Sequence, residues 1–476
     1  MDQEKRLSLR NLWGINEENF YKVLYLALIF FFLNSCYAMW RPLKTSIFAK
    51  MVGPQFVPDA KILGWILIFP LVLLYTKLID WFRRHQIVYS FTLFHGIGGL
   101  IFYFILSNPK YGIANTATDS HRWVGWAFYF FMESFAAFFT TTFWAFADSV
   151  SNPQEAKQSF GMLVTGSKVG GILGSGLLYL ALTHLSIADS VLLPNVLLLG
   201  TILLFLAACM VYLLMKEVPE KLLHGYDGAY QAEKHKTAKK SETFMESLKG
   251  SISGLLIVLK NPYVFGIFSL VFFYDFIITI FDLLILLSAN KTYETAGELT
   301  AFYSFYTLCM HGVGLSIAFL GTVPLQRILG ARASLFITPI FSLMLVLTAF
   351  FFPTTTVFTF WGMPFDVLFV TLILLRGTNY GLNHPTREML YIPTTKMIKF
   401  KAKAWTDSFG TRFAKLSGSF FNKQIANTGT SYILYASTLM SSTLLCCWIV
   451  VAYFLGTRMQ KAIDTNTVIG EEAENK

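Results

Sequence analysis

Glu133 stands in the middle of hydrocarbon. In "WVGWAFYFFMESFAAFFTTTFWAFA" it follows Trp123 by ten residues, about 15 Å along a helix at 1.5 Å per residue, which is near the midplane of a membrane-spanning segment. An ionisable group at that depth faces a partner or a water-filled cavity and marks a substrate or proton pathway; otherwise it is a protonated carboxyl hydrogen-bonded inside the bundle. Asp275 and Asp282, seven apart in "FFYDFIITIFDLLIL", are separated by two helical turns and share a face. Cations form the complementary set. "MWRPLKTSIF" (39–48) places Arg41 and Lys44 around Pro42, and "TTKMIKFKAKAWTDSFGTRFAKLSGSF" runs Lys396, Lys399, Lys401, Lys403, Arg412 and Lys415 into an apolar span. Lys399 and Lys403 are four apart and stack on one helical face. Arg376 adds a guanidinium at the end of another span. Each ammonium donates three hydrogen bonds as a point charge, a good lining for a path that handles phosphate oxygens. Positive charge in loops is also how membrane proteins set their topology, and that second reading covers the first lysines of the row but not Arg412 and Lys415, deeper in.

Glu298, in "TAGELTAFYS", admits two roles. It is an acid of the same path, or a first-turn carboxylate favoured by the helix dipole, worth under about 1 kcal/mol. "GMLVTGSK" (161–168) has a superficial likeness to a phosphate-binding loop, but the order is Gly-Ser-Lys rather than Gly-Lys-Ser/Thr, inside a hydrophobic span. Gly166, Gly170, Gly171 and Gly174 read instead as close helix packing. No nucleophile–base pair has hydrolase spacing, and His95 and His311 look isolated, so neither an enzyme nor a cofactor or metal centre is expected. The five cysteines (Cys36, Cys209, Cys309, Cys446, Cys447) fall in apolar segments and read as small packing residues.

The elements that position these groups are membrane helices. Of 476 residues, 54% are hydrophobic, 14% charged and 47 are Phe, whereas soluble domains carry about 25% charged residues. Apolar runs of about twenty residues match a helix crossing ~30 Å of hydrocarbon. The runs predict an all-α membrane protein with twelve spans, near 21–40, 59–79, 87–107, 123–147, 160–183, 191–215, 262–289, 300–321, 333–352, 355–376, 403–425 and 431–456. Segment 21–40 is too long for a signal peptide and has no cleavage site. Basic residues concentrate in the tail (Lys5, Arg6, Arg10), at Arg83 and Arg84, in 216–260, at Arg327 and Arg332, in 376–403, and at Arg458 and Lys461. That asymmetry predicts both termini on the cytoplasmic side and accounts for much of the +10 net charge without nucleic acid.

The long polar stretch separates six spans from six, giving an N-terminal half 1–215, a basic cytoplasmic linker 216–261 and a C-terminal half 262–476. The halves echo each other at an offset near 247: "LIDWFRRHQ" (78–86) with "LQRILGARA" (325–333), and "EAKQSFGMLVTGSKVGGILGS" (155–175) with "FKAKAWTDSFGTRFAKLSGS" (400–419). Same-sense repeats of six helices are the major-facilitator plan. Pro42 removes a backbone donor and disfavours helix just before it, so an irregular turn is expected at "RPLK". Such a turn is tolerated where it lines a cavity, with Arg41 and Lys44 as cations of the outward part of the path.

These residues carry a family pattern. "RPLKTSIF" followed by "KILGWILIFPLVLLYTKL" resembles the opening of the ATP/ADP translocase family, the nucleotide transporters of obligate intracellular bacteria and plastids. "MESFAAFFTTTFWAFADSVSNPQEAK" resembles that family's fourth helix, and "NYGLNHPTREMLYIP" with the lysines after it is similar to a later motif. The chain departs from the pattern at Thr45, Asp148, "EAKQSFG", Asn379 and Ala402. The resemblance implies charged residues important for nucleotide transport at Lys44, Glu133, Glu298 and one of Lys399, Lys401 or Lys403. It implies a twelve-helix carrier of a bacterial inner membrane working by alternating access as a monomer, exchanging ATP for ADP. The other reading of the residues is proton-coupled import of nucleotides or another organic anion, with Glu133 binding the proton. A membrane-embedded enzyme acting on a phosphorylated lipid would use the same cations but needs a general base that is not evident.

Overall fold

The computed structural model describes residues 17–81, 84–151, 153–223, 254–320, 322–353, 355–360, 363–395, 397–465 and 467–470. The basic tail, Arg83, Lys396 and most of the segment 216–261 lie outside the described residues, as do the side chains of Arg84, Lys157 and Arg327. The chain forms two compact units, one of Met1–Gly53, Ile66–Ser241 and Tyr293–Leu308, the other of Pro54–Trp65, Glu242–Thr292 and Cys309–Lys476.

Six long helices build the first unit: α1 (Glu17–Met51), α2 (Val57–Trp81, whose first turns belong to the second unit), α3 (Arg84–Ser107), α4 (Trp123–Val150), α5 (Pro153–His184) and α6 (Asp189–Glu217). α1 is the central member and packs along α4, α5 and α6. Its approach to α5 is a glycine stripe. A Cβ on Gly166, Gly170 or Gly174 would sit 2.8, 2.3 or 2.7 Å from the carbonyl oxygens of Ala27, Phe31 and Ser35. Two four-residue rows therefore touch backbone to backbone, as the sequence predicts for these small residues. Polar groups seal the contact: Asn34 Nδ2 donates to Ser167 O at 2.7 Å and Ser35 Oγ to Gly170 O at 3.0 Å.

In the second unit α7 (Pro262–Thr292) is central and packs on α11 (Thr411–Ile425) and α12 (Thr430–Asp464), while α9 (Thr322–Phe351) packs on α12 and on α10 (Val367–Thr378). α8 (Ala296–Leu320) begins in the first unit and ends in the second. The α1–α5 device recurs: a Cβ on Gly418 of α11 would lie 3.2 Å from Phe276 O of α7, and Asn422 Nδ2 donates to Thr279 O at 2.8 Å. Among the described residues, seven helices are long and apolar enough to cross a membrane. The described residues are mostly helical, as expected, and these seven are fewer than the twelve spans read from the sequence.

Two elements differ from expectation. α1 does not break at "RPLK". It runs as one helix through Pro42 to Met51, so Arg41 and Lys44 are helical residues rather than parts of an irregular turn. Buried Met39, Trp40, Leu43, Ile47 and Phe48 fix that stretch in the bundle, and packing outweighs the single hydrogen bond a proline deletes. The tenth span also moves. Residues expected to open it form an antiparallel ribbon of β1 (Thr356–Phe360) and β2 (Met363–Asp366), with Phe358 stacked on Phe365 at 4.3 Å. Helix starts only at Val367, then continues through a π-helical turn at Asn379–Asn383 into a short helix His384–Met389. Two more π-helical turns, Ile398–Ala402 and Thr406–Gly410, flank the short helix Lys403–Trp405 ahead of α11. π-turns of this kind cluster at functional sites.

Candidate substrate-binding charges

In the first unit Lys44 reaches from α1 to α4. Its Nζ lies 2.6 Å from Glu133 Oε1 and 4.9 Å from the centre of the Tyr129 ring. Tyr129 and Glu133 are one turn apart on α4, so carboxylate and ring face present themselves together. The pair is inside the bundle but not sealed: Lys44 is 15% exposed and Glu133 25%. The carboxylate holds the ammonium in place, and the ring adds a cation–π contact of about 0.5–2 kcal/mol. Arg41 sits half-buried one turn before Lys44 on the same helix.

Glu298 is engaged differently. Its Oε2 accepts from the backbone N–H groups of Glu294 (2.8 Å) and Thr295 (3.2 Å), while Thr295 Oγ1 accepts from the Glu298 N–H at 3.1 Å. The two residues form a reciprocal capping box that starts α8. Lys50 Nζ donates to Tyr293 O at 2.6 Å.

The second unit holds the other set. Asp282 takes Arg376 Nη2 on one oxygen at 2.6 Å and has Lys61 Nζ 3.7 Å from the other. Asp275, on the same face of α7, has Lys415 Nζ at 3.7 Å. The face shared by the two aspartates is therefore ringed by cations. Lys403 Nζ is 2.5 Å from Glu388 Oε2 and 5.6 Å from the centre of the Tyr391 ring. Lys399 and Lys401 are exposed on the preceding π-turn.

Some partners were not singled out from the sequence: Lys61, Glu388, Tyr129 and Tyr391, and the pairs Lys423–Asp59 (2.6 Å) and Arg387–Asp407 (3.6 Å). Glu388 and Tyr391 stand inside "NYGLNHPTREMLYIP", so the motif carried them without a role. The sequence gives no sign of a role for Lys22. Only 1% exposed, it donates to Glu155 Oε2 (2.7 Å), Leu222 O (2.9 Å) and Val150 O (3.2 Å), an ammonium whose three donors are all used within the unit. His95 is a hydrogen-bonded core residue between Phe91 O and Ser134 Oγ.

The chain is 25% identical over 445 residues to ADP,ATP carrier protein 1 of Chlamydia muridarum, covering 86% of this chain and 82% of that protein. It is 24% identical to ADP,ATP carrier protein 4 of Rickettsia felis over 92% and 90%. In fold it is similar to a bacterial homologue of the iron transporter ferroportin in its inward-facing state (TM-score 0.59, 14% identity, 91% and 100% covered). A similar likeness holds for the nucleoside transporter NupG (TM-score 0.56, 15% identity, 90% and 98% covered). Residues 2–459 match the family described as TLC ATP/ADP transporter, and the chain belongs to that family.

Proposed function

We propose that this protein exchanges ATP for ADP across a bacterial inner membrane by alternating access, with both termini cytoplasmic and the monomer as the working unit. Family membership and the carrier relatives support the substrate class. The observation that carries the mechanism is the Lys44–Glu133 pair at 2.6 Å inside an apolar bundle. A polyphosphate leaving water loses strong hydration, and clustered cations in a low-dielectric cavity offset that loss. With no phosphate present the same cations would be uncompensated, which is costly. Glu133 and Asp282 supply the compensation for Lys44 and for Arg376 with Lys61. Phosphate oxygens then take the cations from the carboxylates, so that loaded and empty carriers differ in charge arrangement.

In this reading Lys44, Arg41 and Glu133 act in the first unit. Arg376, Asp282, Lys399, Lys401 and Lys403 act in the second, and Glu298 fixes the start of α8 near Lys50. No step makes or breaks a covalent bond. The test uses the purified protein in liposomes preloaded with labelled ADP. Exchange expects efflux to rise at least tenfold when ATP is added outside; efflux equal with and without external ATP would refute obligate exchange.

A further inference from the structure

Lys403 and Lys44 share a local pattern although their surroundings are built from different elements. Each ammonium contacts one glutamate (2.5 and 2.6 Å) and lies over one tyrosine ring (5.6 and 4.9 Å). In the second unit that glutamate is Glu388, in the last turn of His384–Met389, with Tyr391 following three residues later. Lys403 and Glu388 are each about one-third exposed (34% and 33%), whereas Tyr391 is 4% exposed and forms a fixed floor. Of the three neighbouring lysines only Lys403 has a carboxylate partner among the described residues; Lys399 and Lys401 are exposed on the π-turn that ends just before it.

An anion approaching Lys403 meets an ammonium that is already occupied by Glu388. To use Lys403 it must displace Glu388, a like charge that otherwise stays beside it. The arrangement is thus graded by the charge of the ligand. A polyphosphate carries enough negative charge to outcompete one carboxylate at Lys403, while a singly charged anion gains little from the exchange. We propose that Glu388 is a specificity-determining residue that competes with substrate phosphate for Lys403, lowering the affinity for anions in general and so favouring highly charged ones. This rests on the nucleotide-exchange reading above.

The test compares wild type with Glu388→Gln, Glu388→Asp, Lys403→Gln and the Glu388→Gln/Lys403→Gln double variant in ADP-loaded liposomes. It measures the half-saturating ATP concentration and the inorganic phosphate concentration that halves uptake. A competitor must lower affinity, so Glu388→Gln should reduce both concentrations by roughly twofold to fivefold, the size of an ion pair one-third exposed. Phosphate should shift more than ATP, because the residue weighs most against the weaker anion. Glu388→Asp, which keeps the charge and draws it back by one methylene, should fall between. In the Lys403→Gln background the Glu388→Gln change should have no further effect.

A residue that merely orients Lys403 or supports the fold would give the opposite sign. Half-saturation that rises or stays level in Glu388→Gln at normal membrane abundance overturns the proposal. If Glu388→Gln fails to reach the membrane, Glu388→Asp decides alone, with unchanged phosphate inhibition counting against. Wild-type liposomes showing no exchange would overturn the functional reading, and this inference with it; exchange in the wild type with the wrong sign in the variants overturns the inference only.

Discussion

At the scale of single residues, the chemistry turns on which carboxylate meets which cation. Glu133 was legible from its depth alone, since a lone acid at the centre of an apolar run has few uses. Its partner was not, because Lys44 lies 89 residues away in sequence and periodicity within one helix says nothing about which helix lies opposite. The structure makes a simple expectation possible. If Lys44 meets phosphate, Lys44→Gln removes a charge-assisted hydrogen bond of roughly 1.5–3 kcal/mol, a factor of about ten to more than a hundred at ~1.4 kcal/mol per tenfold. ATP uptake by that variant should fall at least tenfold with membrane abundance unchanged. Lys44→Arg should rescue only in part, because a planar guanidinium cannot reproduce both the Glu133 contact and the seat over Tyr129. Near-normal uptake by Lys44→Gln would remove this lysine from the path.

The scale of elements explains what sequence reading placed correctly and what it displaced. The glycine rows of α5 were readable because small residues four apart have one plain use on a membrane helix, and the structure sets them on the α1 backbone. The break expected at Pro42 is not seen, since local backbone preference carries no information about the buried residues that keep α1 helical. The tenth span was displaced because "TVFTFWGMPFD" is apolar over too short a length to separate strand from helix. Its Gly362 and Pro364 were the available signs of a turn.

Glu298 shows how an element can settle a residue's local role. As a capping-box acid it can be replaced by glutamine without losing the cap. Glu298→Gln should therefore keep the wild-type melting temperature in detergent, whereas Glu298→Ala and Thr295→Ala should each cost about 0.5–2 kcal/mol. A stable Glu298→Gln carrier that no longer transports would give the charge itself a place in the path. A destabilised one would disprove the capping assignment.

At the scale of the whole molecule the question is where the driving force comes from. A proton-coupled importer needs a carboxyl that cycles between protonated and free, held in surroundings that raise its proton affinity. Glu133 is instead bonded to an ammonium, and Asp282 to a guanidinium. The acids are arranged as counter-ions for cations, which suits a carrier driven by the gradients of its own two substrates. In ADP-loaded liposomes with no proton gradient, ATP uptake should proceed at full rate and be unaffected by a protonophore. In liposomes loaded with buffer alone it should be at least tenfold slower, because the empty carrier leaves cations and carboxylates locked together. Uptake that needs no internal nucleotide and collapses with the protonophore would reassign Glu133 from counter-ion to proton carrier, and the gradient of protons would replace that of ADP as the source of work.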